Sequence, residues 1–392
     1  MDISNPLSKR VQDIKSSLTL EITAKAKELS KQGRDICSLS AGEPEVKTPE
    51  HIVRAASNAL FEGFTKYGPV AGDPELRVEI AKKLSRQNNL DLQPENILIT
   101  NGAKQAIFNI LQALLNPGDE VIIPSPYWLS YPEMVKLAGG IPKPIHSEAV
   151  NGFKINIEKL KESINHKTKV IIINSPCNPT GNVITLEELE TIIEIAKKNK
   201  NIYIISDEIY EYILTNETKH YSIGSLSNQI KERVLTVNGF AKSFAMTGWR
   251  IGYIAGNKQI INAAISLQSQ STSNVCTFAQ RGALEALRTE SEFISEMNNS
   301  YNLKRDILIK GISEINKLYL HPPKGAFYAF PQLTNTKITS IDFCKLALDK
   351  VGLVVIPGDA FGDDSCIRIS FATSKDKIIE GIKRLKETFD YI

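Results

Sequence analysis

No run of about 18 apolar residues, the length a membrane-crossing helix needs, occurs anywhere in the 392-residue chain. Met1 to Lys15 is polar and mixed in charge and lacks the apolar stretch of a secretion signal. Neither export nor membrane insertion is expected, and a cytoplasmic setting is. Paired cysteines are missing too. The five present, Cys37, Cys177, Cys276, Cys344 and Cys366, are odd in number and show no C-x-x-C spacing, which argues against a disulfide framework or a zinc site. Nor is one sign of charge in surplus: Lys plus Arg at 47 against Asp plus Glu at 44 leave a formal +3. These charges are scattered and give no footprint for nucleic acid or an acidic membrane. No G-x-G-x-x-G opens a helix after a strand, which excludes a nicotinamide-binding reading. Small molecules remain as the expected partners, with no metal called for.

What is present is length enough for a large core and two domains. Strand-like runs at Asn96–Thr100, Glu120–Pro124, Lys169–Asn174, Asn201–Ser206, Arg233–Asn238 and Arg250–Ala255 alternate with helical patterns. That alternation predicts an α/β fold with a mostly parallel sheet covered on both faces. Thr185 and Glu188 have capping-box spacing ahead of an apolar stripe through Leu186, Leu189, Ile192, Ile193 and Ala196, a packing helix. Toward the C-terminus the pattern changes to strand-like Ala326–Phe330, Leu353–Ile356 and Cys366–Phe371. A helical tail follows, with Ile378, Ile379, Ile382, Leu385 and Phe389 on one side. The expected division is an N-terminal segment, 1–48, belonging to a small domain, a large domain at 49–289, and the rest of the small domain at 290–392.

Ligands of open parallel sheets bind beyond the carboxyl ends of the strands, and the chemically interesting residues fall there. Asn101-Gly102-Ala103-Lys104 follows a strand and opens a helix, so its free backbone N–H groups can hold a phosphate. In Ser175-Pro176-Cys177-Asn178-Pro179 two prolines restrain the backbone around one amide side chain. Asp207-Glu208-Ile209-Tyr210 follows the next strand. Last comes Ala241-Lys242-Ser243 with Arg250 eight positions after the lysine: an amine in apolar surroundings that can condense with an aldehyde, and a guanidinium for a phosphate. Each of these, taken alone, is an ordinary cap, turn or surface residue. Together, amide, carboxylate, phenol, lysine and arginine fall in the order that would surround pyridoxal 5'-phosphate, with Asp207 pairing a protonated pyridine nitrogen.

From about Leu7 to the C-terminus these residues closely resemble the class I, fold-type I pyridoxal-phosphate aminotransferases, in particular the gamma-type prokaryotic aspartate aminotransferases. The motifs carrying the likeness are Ala41-Gly42-Glu43-Pro44, Lys66-Tyr67, Pro124-Ser125-Pro126-Tyr127-Trp128, Asn178-Pro179-Thr180-Gly181, Asp207 to Tyr210, Lys242 to Arg250 and Cys366-Ile367-Arg368-Ile369-Ser370. The resemblance implies that Lys242 binds the cofactor covalently, Asp207 faces its pyridine nitrogen, and Asn178 and Tyr210 hold its ring oxygen. Trp128 would stack on one ring face and Ile209 pack on the other. Gly102, Ala103, Arg250 and a Tyr67 supplied across a homodimer would hold the phosphate. Arg368 would grip the substrate α-carboxylate, with Gly42 and Asn178 nearby. Two departures stand out. Ala241 replaces a common serine, for which Ser243 would compensate, and Cys177 stands where Asn or His is common and reads as a small buried hydrophobe.

The implied reaction moves an amino group between L-aspartate and 2-oxoglutarate in ping-pong fashion, with amino and 2-oxo acids as the partners. Lys104 and Ser17 would receive the distal carboxylate, and Lys15 keeps prephenate open as a further substrate. The rivals are an aromatic, alanine or other aminotransferase on the same scaffold, and a noncatalytic pyridoxal-phosphate-binding regulator, for whose added helix-turn-helix domain no room is seen.

Overall fold

The computed structural model describes residues 6–12, 14, 18–289 and 291–392. A short strand β1 (Cys37–Ser38) precedes the seven strands of the main sheet: β2 (Ile97–Thr100), β3 (Glu120–Ser125), β4 (Ile141–His146), β5 (Thr168–Asn174), β6 (Tyr203–Asp207), β7 (Val234–Gly239) and β8 (Gly252–Ala255). Their order across the sheet is β2-β8-β7-β6-β5-β3-β4. Strands β3 to β7 pair in parallel, and β8 runs antiparallel to both neighbours. Strands β2, β3, β5, β6 and β7 therefore all end on one side.

Burial on both faces explains the unbroken apolar runs. Leu98, Val121, Val170, Ile172, Ile205 and Val237 pack against the Ala103–Leu114 and Lys258–Ser271 helices. Ile122, Ile171, Ile173 and Ile204 pack on the other side with the Leu186–Lys198 helix. That helix begins as its spacing predicts: the Glu188 N–H donates to Thr185 Oγ1 at 3.3 Å and the Thr185 N–H to Glu188 Oε2 at 2.9 Å. The sequence reading omitted β4. It is an edge strand, largely exposed, and its Pro142 and Pro144 are tolerated because an edge has no second ladder to complete.

The C-terminal part adds β9 (Leu318–Tyr319), β10 (Tyr328–Ala329), β11 (Gln332–Leu333), β12 (Leu353–Val354), β13 (Ile356–Pro357) and β14 (Ile367–Ser370). The expected single strand Leu353–Ile356 is two. It breaks at Val355, so that β12 pairs with β1 while β13 pairs with β14. Leu39, just after β1, is buried with Phe327, Ile367, Ile369 and Ile378, so the N-terminal segment packs with the C-terminal elements. In the tail helix, Lys375–Thr388, Ile378 and Leu385 are buried as expected, whereas Ile379 is 56% exposed and leaves the stripe.

Candidate active site

Strand ends and the turns after them bring the candidate residues together. Asn178 follows β5, and its N–H donates to Asn174 Oδ1 at 2.9 Å. The Asn174 amide donates in turn to the Asp207 carbonyl at 3.0 Å, tying the two strand ends to each other. The Ser175–Pro176 and Asn178–Pro179 peptide bonds are both cis. Arg368, on β14, is 2% exposed and reaches the same place: its guanidinium donates to Asn178 Oδ1 at 3.1 Å and to the Ser40 carbonyl at 3.0 Å. It lies over the rings of Tyr328 and Phe361, 4.6 and 5.0 Å from their centroids. Its Nε is buried without a hydrogen-bond partner. Burying a cation with no carboxylate beside it is costly, so this pocket favours an anionic guest.

Lys242 follows β7, and its Nζ donates to the Gly42 carbonyl at 2.5 Å, 5.8 Å from the centre of the Tyr210 ring. Burial, aided by Arg368 and then Arg250, lowers its pKa to about 8, although Glu43 and Asp207 pull the other way. Near neutrality a useful share of this amine is unprotonated and nucleophilic. Asp207 ends β6 at 3% exposure. Burial raises its pKa to about 6, opposed by a 2.7 Å hydrogen bond from the Tyr131 hydroxyl and another from the Ile209 N–H. Tyr210 shares a 3.1 Å hydrogen bond with Tyr328, and its phenol is pushed well up by burial and then by that neighbour.

Opposite Lys242 the Ala103–Leu114 helix starts after Gly102, whose φ of +81° suits glycine, and no side chain caps it. A methyl group at position 102 would stand 2.5 Å from the Arg250 guanidinium. Arg250, itself at φ +59°, donates to the carbonyls of Thr247 and Asn101 at 3.0 and 3.1 Å. A free helix N-terminus facing an arginine makes an anion cradle. Beside it Lys104 Nζ lies 5.0 Å from the Trp128 ring centre, and both Lys104 and Arg250 border a cleft of about 550 Å³. Burial and then Arg250 lower the Lys104 pKa.

The remaining candidates are dispersed. Tyr67 is 93% exposed, far from burial in its own chain's site. Lys15 and Ser17 lie outside the described residues. Ser243 is fully enclosed with its hydroxyl unpartnered, so it does not open onto the cleft to make up for Ala241. The Cys177 thiol is raised by burial and lies 3.7 Å from the Pro126 carbonyl; the residue is half-buried beside a cavity of about 40 Å³ and is not part of the apolar core it was expected to join. Sequence reading missed Tyr131, Tyr328, Phe361 and the Ser40 carbonyl. Only Tyr131, close after the Pro126-Tyr127-Trp128 motif, carried a local signal.

Fold and site together define an α/β group-transfer enzyme with a lysine amine at its centre and separate anion pockets on either side. The particular family follows from comparison with known proteins: residues 34–385 match the family model for aminotransferase class I and II, and the chain belongs to that family. It is 44% identical over 391 residues to a probable aspartate/prephenate aminotransferase of Aquifex aeolicus, covering 98% of this chain and 99% of the relative. It is 46% identical over 384 residues to an aspartate aminotransferase of Bacillus sp. (strain YM-2), covering 97% and 98%. Among solved structures, aspartate aminotransferase from Thermus thermophilus with maleate superposes with a TM-score of 0.94 at 43% identity, over 98% of this chain and 100% of that one.

Proposed function

We propose that the protein is a pyridoxal-phosphate-dependent aspartate aminotransferase exchanging an amino group between L-aspartate and 2-oxoglutarate, with Lys242 as its catalytic residue. The observation that carries this reading is a lysine amine lowered to about 8 by burial and by a buried, anion-seeking Arg368, together with the uncapped helix start beside Arg250. The residues fit the cofactor. The uncapped helix start at Gly102 and Ala103, with Arg250, suits its phosphate; Asp207 suits its pyridine nitrogen; Asn178 and Tyr210 suit its ring oxygen; and Trp128 and Ile209 would pack on its two faces. When bound, that group accepts the electron pair released as the substrate loses its α-proton.

The chain's own residues do the rest. Arg368 binds the substrate α-carboxylate, with Gly42 and Asn178 nearby, and so fixes which bond at the α-carbon faces Lys242. Once freed by the substrate amine, Lys242 Nζ takes the α-proton and later returns it, a role its lowered pKa suits near neutral pH. Tyr131 orients the Asp207 carboxylate and supplies one hydrogen bond that keeps it ionised. Lys104, lining the cleft beside Trp128, would receive a distal carboxylate, and the Thermus thermophilus neighbour was solved with the dicarboxylate maleate. Ser17 belongs to the same proposal, and Lys15 to the reading that adds prephenate. The exposure of Tyr67 suits a homodimer in which it completes the phosphate site of its partner. The packing of Leu39 with the C-terminal core supports the division at 48 and 290 into a small domain made of both chain ends and a large domain between them.

Lys242→Ala should remain folded and lose aspartate:2-oxoglutarate transamination, and near-normal turnover in that variant would refute the assignment. A second reading, added prephenate transamination, is favoured by the names of several relatives. A panel of aspartate, tyrosine, alanine and prephenate with 2-oxoglutarate or glutamate separates it from aspartate-only, aromatic and other aminotransferase activity. A protein that bound the vitamer at Lys242 yet transaminated no member of the panel would point to a regulator instead.

A further inference from the structure

Behind the site, on the far side of the Asp207 to Ile213 turn, lies a second set of ionisable groups that the reaction does not use. Lys83, Glu208 and Glu211 are buried and His220 is half-buried, and with Asn88, Ser206, Ser222 and Asn238 they form one hydrogen-bonded network. Lys83 Nζ binds Glu211 and, at 2.8 Å, Asn88 Oδ1. The Asn88 amide donates to Glu211 Oε2 and Ser222 Oγ, both at 2.8 Å. Asn238 donates to Glu211 Oε1 at 2.6 Å, while Ser206 and Ser222 donate to Glu208 at 2.8 and 2.6 Å. His220 Nε2 lies 3.2 Å from Glu208 Oε2. Glu208, Glu211 and His220 could in principle hold a metal ion, their ligand atoms lying within 4.8 Å of one another. The Lys83 ammonium already supplies a cation to Glu211.

The spacing along the chain is the informative part. Asp207 and Tyr210, the two residues of this turn proposed to hold the cofactor, are each followed directly by a network carboxylate, Glu208 and Glu211. Asp207 itself ends β6, paired with Asn174 and Val237, whereas Glu208 to Glu211 lie in a turn that is neither helix nor strand and has no ladder of its own. The network ties it instead to the Pro74–Asn88 helix through Lys83 and Asn88, to β7 through Asn238, and to the 220–222 loop. Buried ion pairs of this kind are weak contributors to stability compared with apolar groups of the same size, and their best-attested use is to specify one arrangement.

We propose that Lys83 and Glu211, through this network, are positioning residues that fix Asp207 and Tyr210 against the cofactor. The inference rests on the proposed role of Asp207. Removing one charge strands the other, so the informative variant is the neutral pair Lys83→Met/Glu211→Gln, compared with each single change. In the holoenzyme the pair should restore the melting temperature lost by the singles. It should still lower kcat about 10- to 100-fold with KM changed less than about threefold, a loss of orientation rather than of binding. In the cofactor-free protein, the pH dependence of stability attributable to Asp207 should shift. Added to Asp207→Asn, the pair should cost no further activity. A folded double variant with wild-type kcat and an unmoved Asp207 titration would reduce the network to a purely structural role and overturn the proposal. An Asp207→Asn enzyme of normal activity would instead overturn the reading of Asp207 itself, which distinguishes the two failures.

Discussion

At the scale of the residue, Asp207 is held against its own stability. Its carboxyl is raised to about 6 chiefly because burial disfavours the anion. Below about pH 4 it is protonated in both the folded and the unfolded chain and costs nothing. Between about 4 and 6 the folded state binds the extra proton, and above 6 the desolvation cost is fully present. Asp207→Asn should therefore stabilise the cofactor-free protein at pH 8 by about 1–3 kcal/mol, since each tenfold change in proton affinity is worth roughly 1.4 kcal/mol, and the gain should fade toward pH 4. Thermal melts across that range check it, and a loss of stability at pH 8 would contradict it. Arg368→Lys keeps the charge but loses the planar fork, and should raise KM for the amino acid roughly 10- to 150-fold, the worth of one charge-assisted hydrogen bond at about 1.5–3 kcal/mol. Steady-state kinetics on aspartate measures this. Lys242, Asp207, Asn178 and Arg250 were legible in the sequence because each sits at a strand end in a distinctive motif. Tyr328 and Phe361 were not, since an aromatic residue in a buried run carries no sign that a distant arginine will lie on its face.

Elements explain where the sequence pattern sufficed and where it failed. Doubly buried strands announce themselves as apolar runs, and the Thr185 cap is written in four letters. Edge strand β4 is hidden by its prolines, and the break at Val355 is set by two different pairing partners that no local pattern reveals. The start of the Ala103–Leu114 helix makes a sharper test. Gly102→Ala forces a side chain into a left-handed conformation, at about 1–2 kcal/mol, and toward the Arg250 guanidinium. Cofactor dissociation should quicken at least about tenfold, the factor that 1.4 kcal/mol represents, while the helix itself remains. Release of the cofactor followed by its absorbance provides the measurement, and unchanged retention would count against this helix start as the phosphate cradle.

For the molecule as a whole, the exposed Tyr67 yields a prediction about sharing. Mixing a Lys242→Ala chain with a Tyr67→Phe chain, under conditions that exchange subunits, should generate hybrids containing one site built wholly from native residues. Activity should then exceed that of either parent, whereas additive activities would place Tyr67 outside its neighbour's site.

The pairing of β1 with β12 has a temporal meaning as well. Ser40 and Gly42, whose carbonyls hold Arg368 and Lys242, precede those side chains by 328 and 200 positions. A growing chain on the ribosome consequently has no grip for a carboxylate until Arg368 has been made and folds back onto the segment after β1.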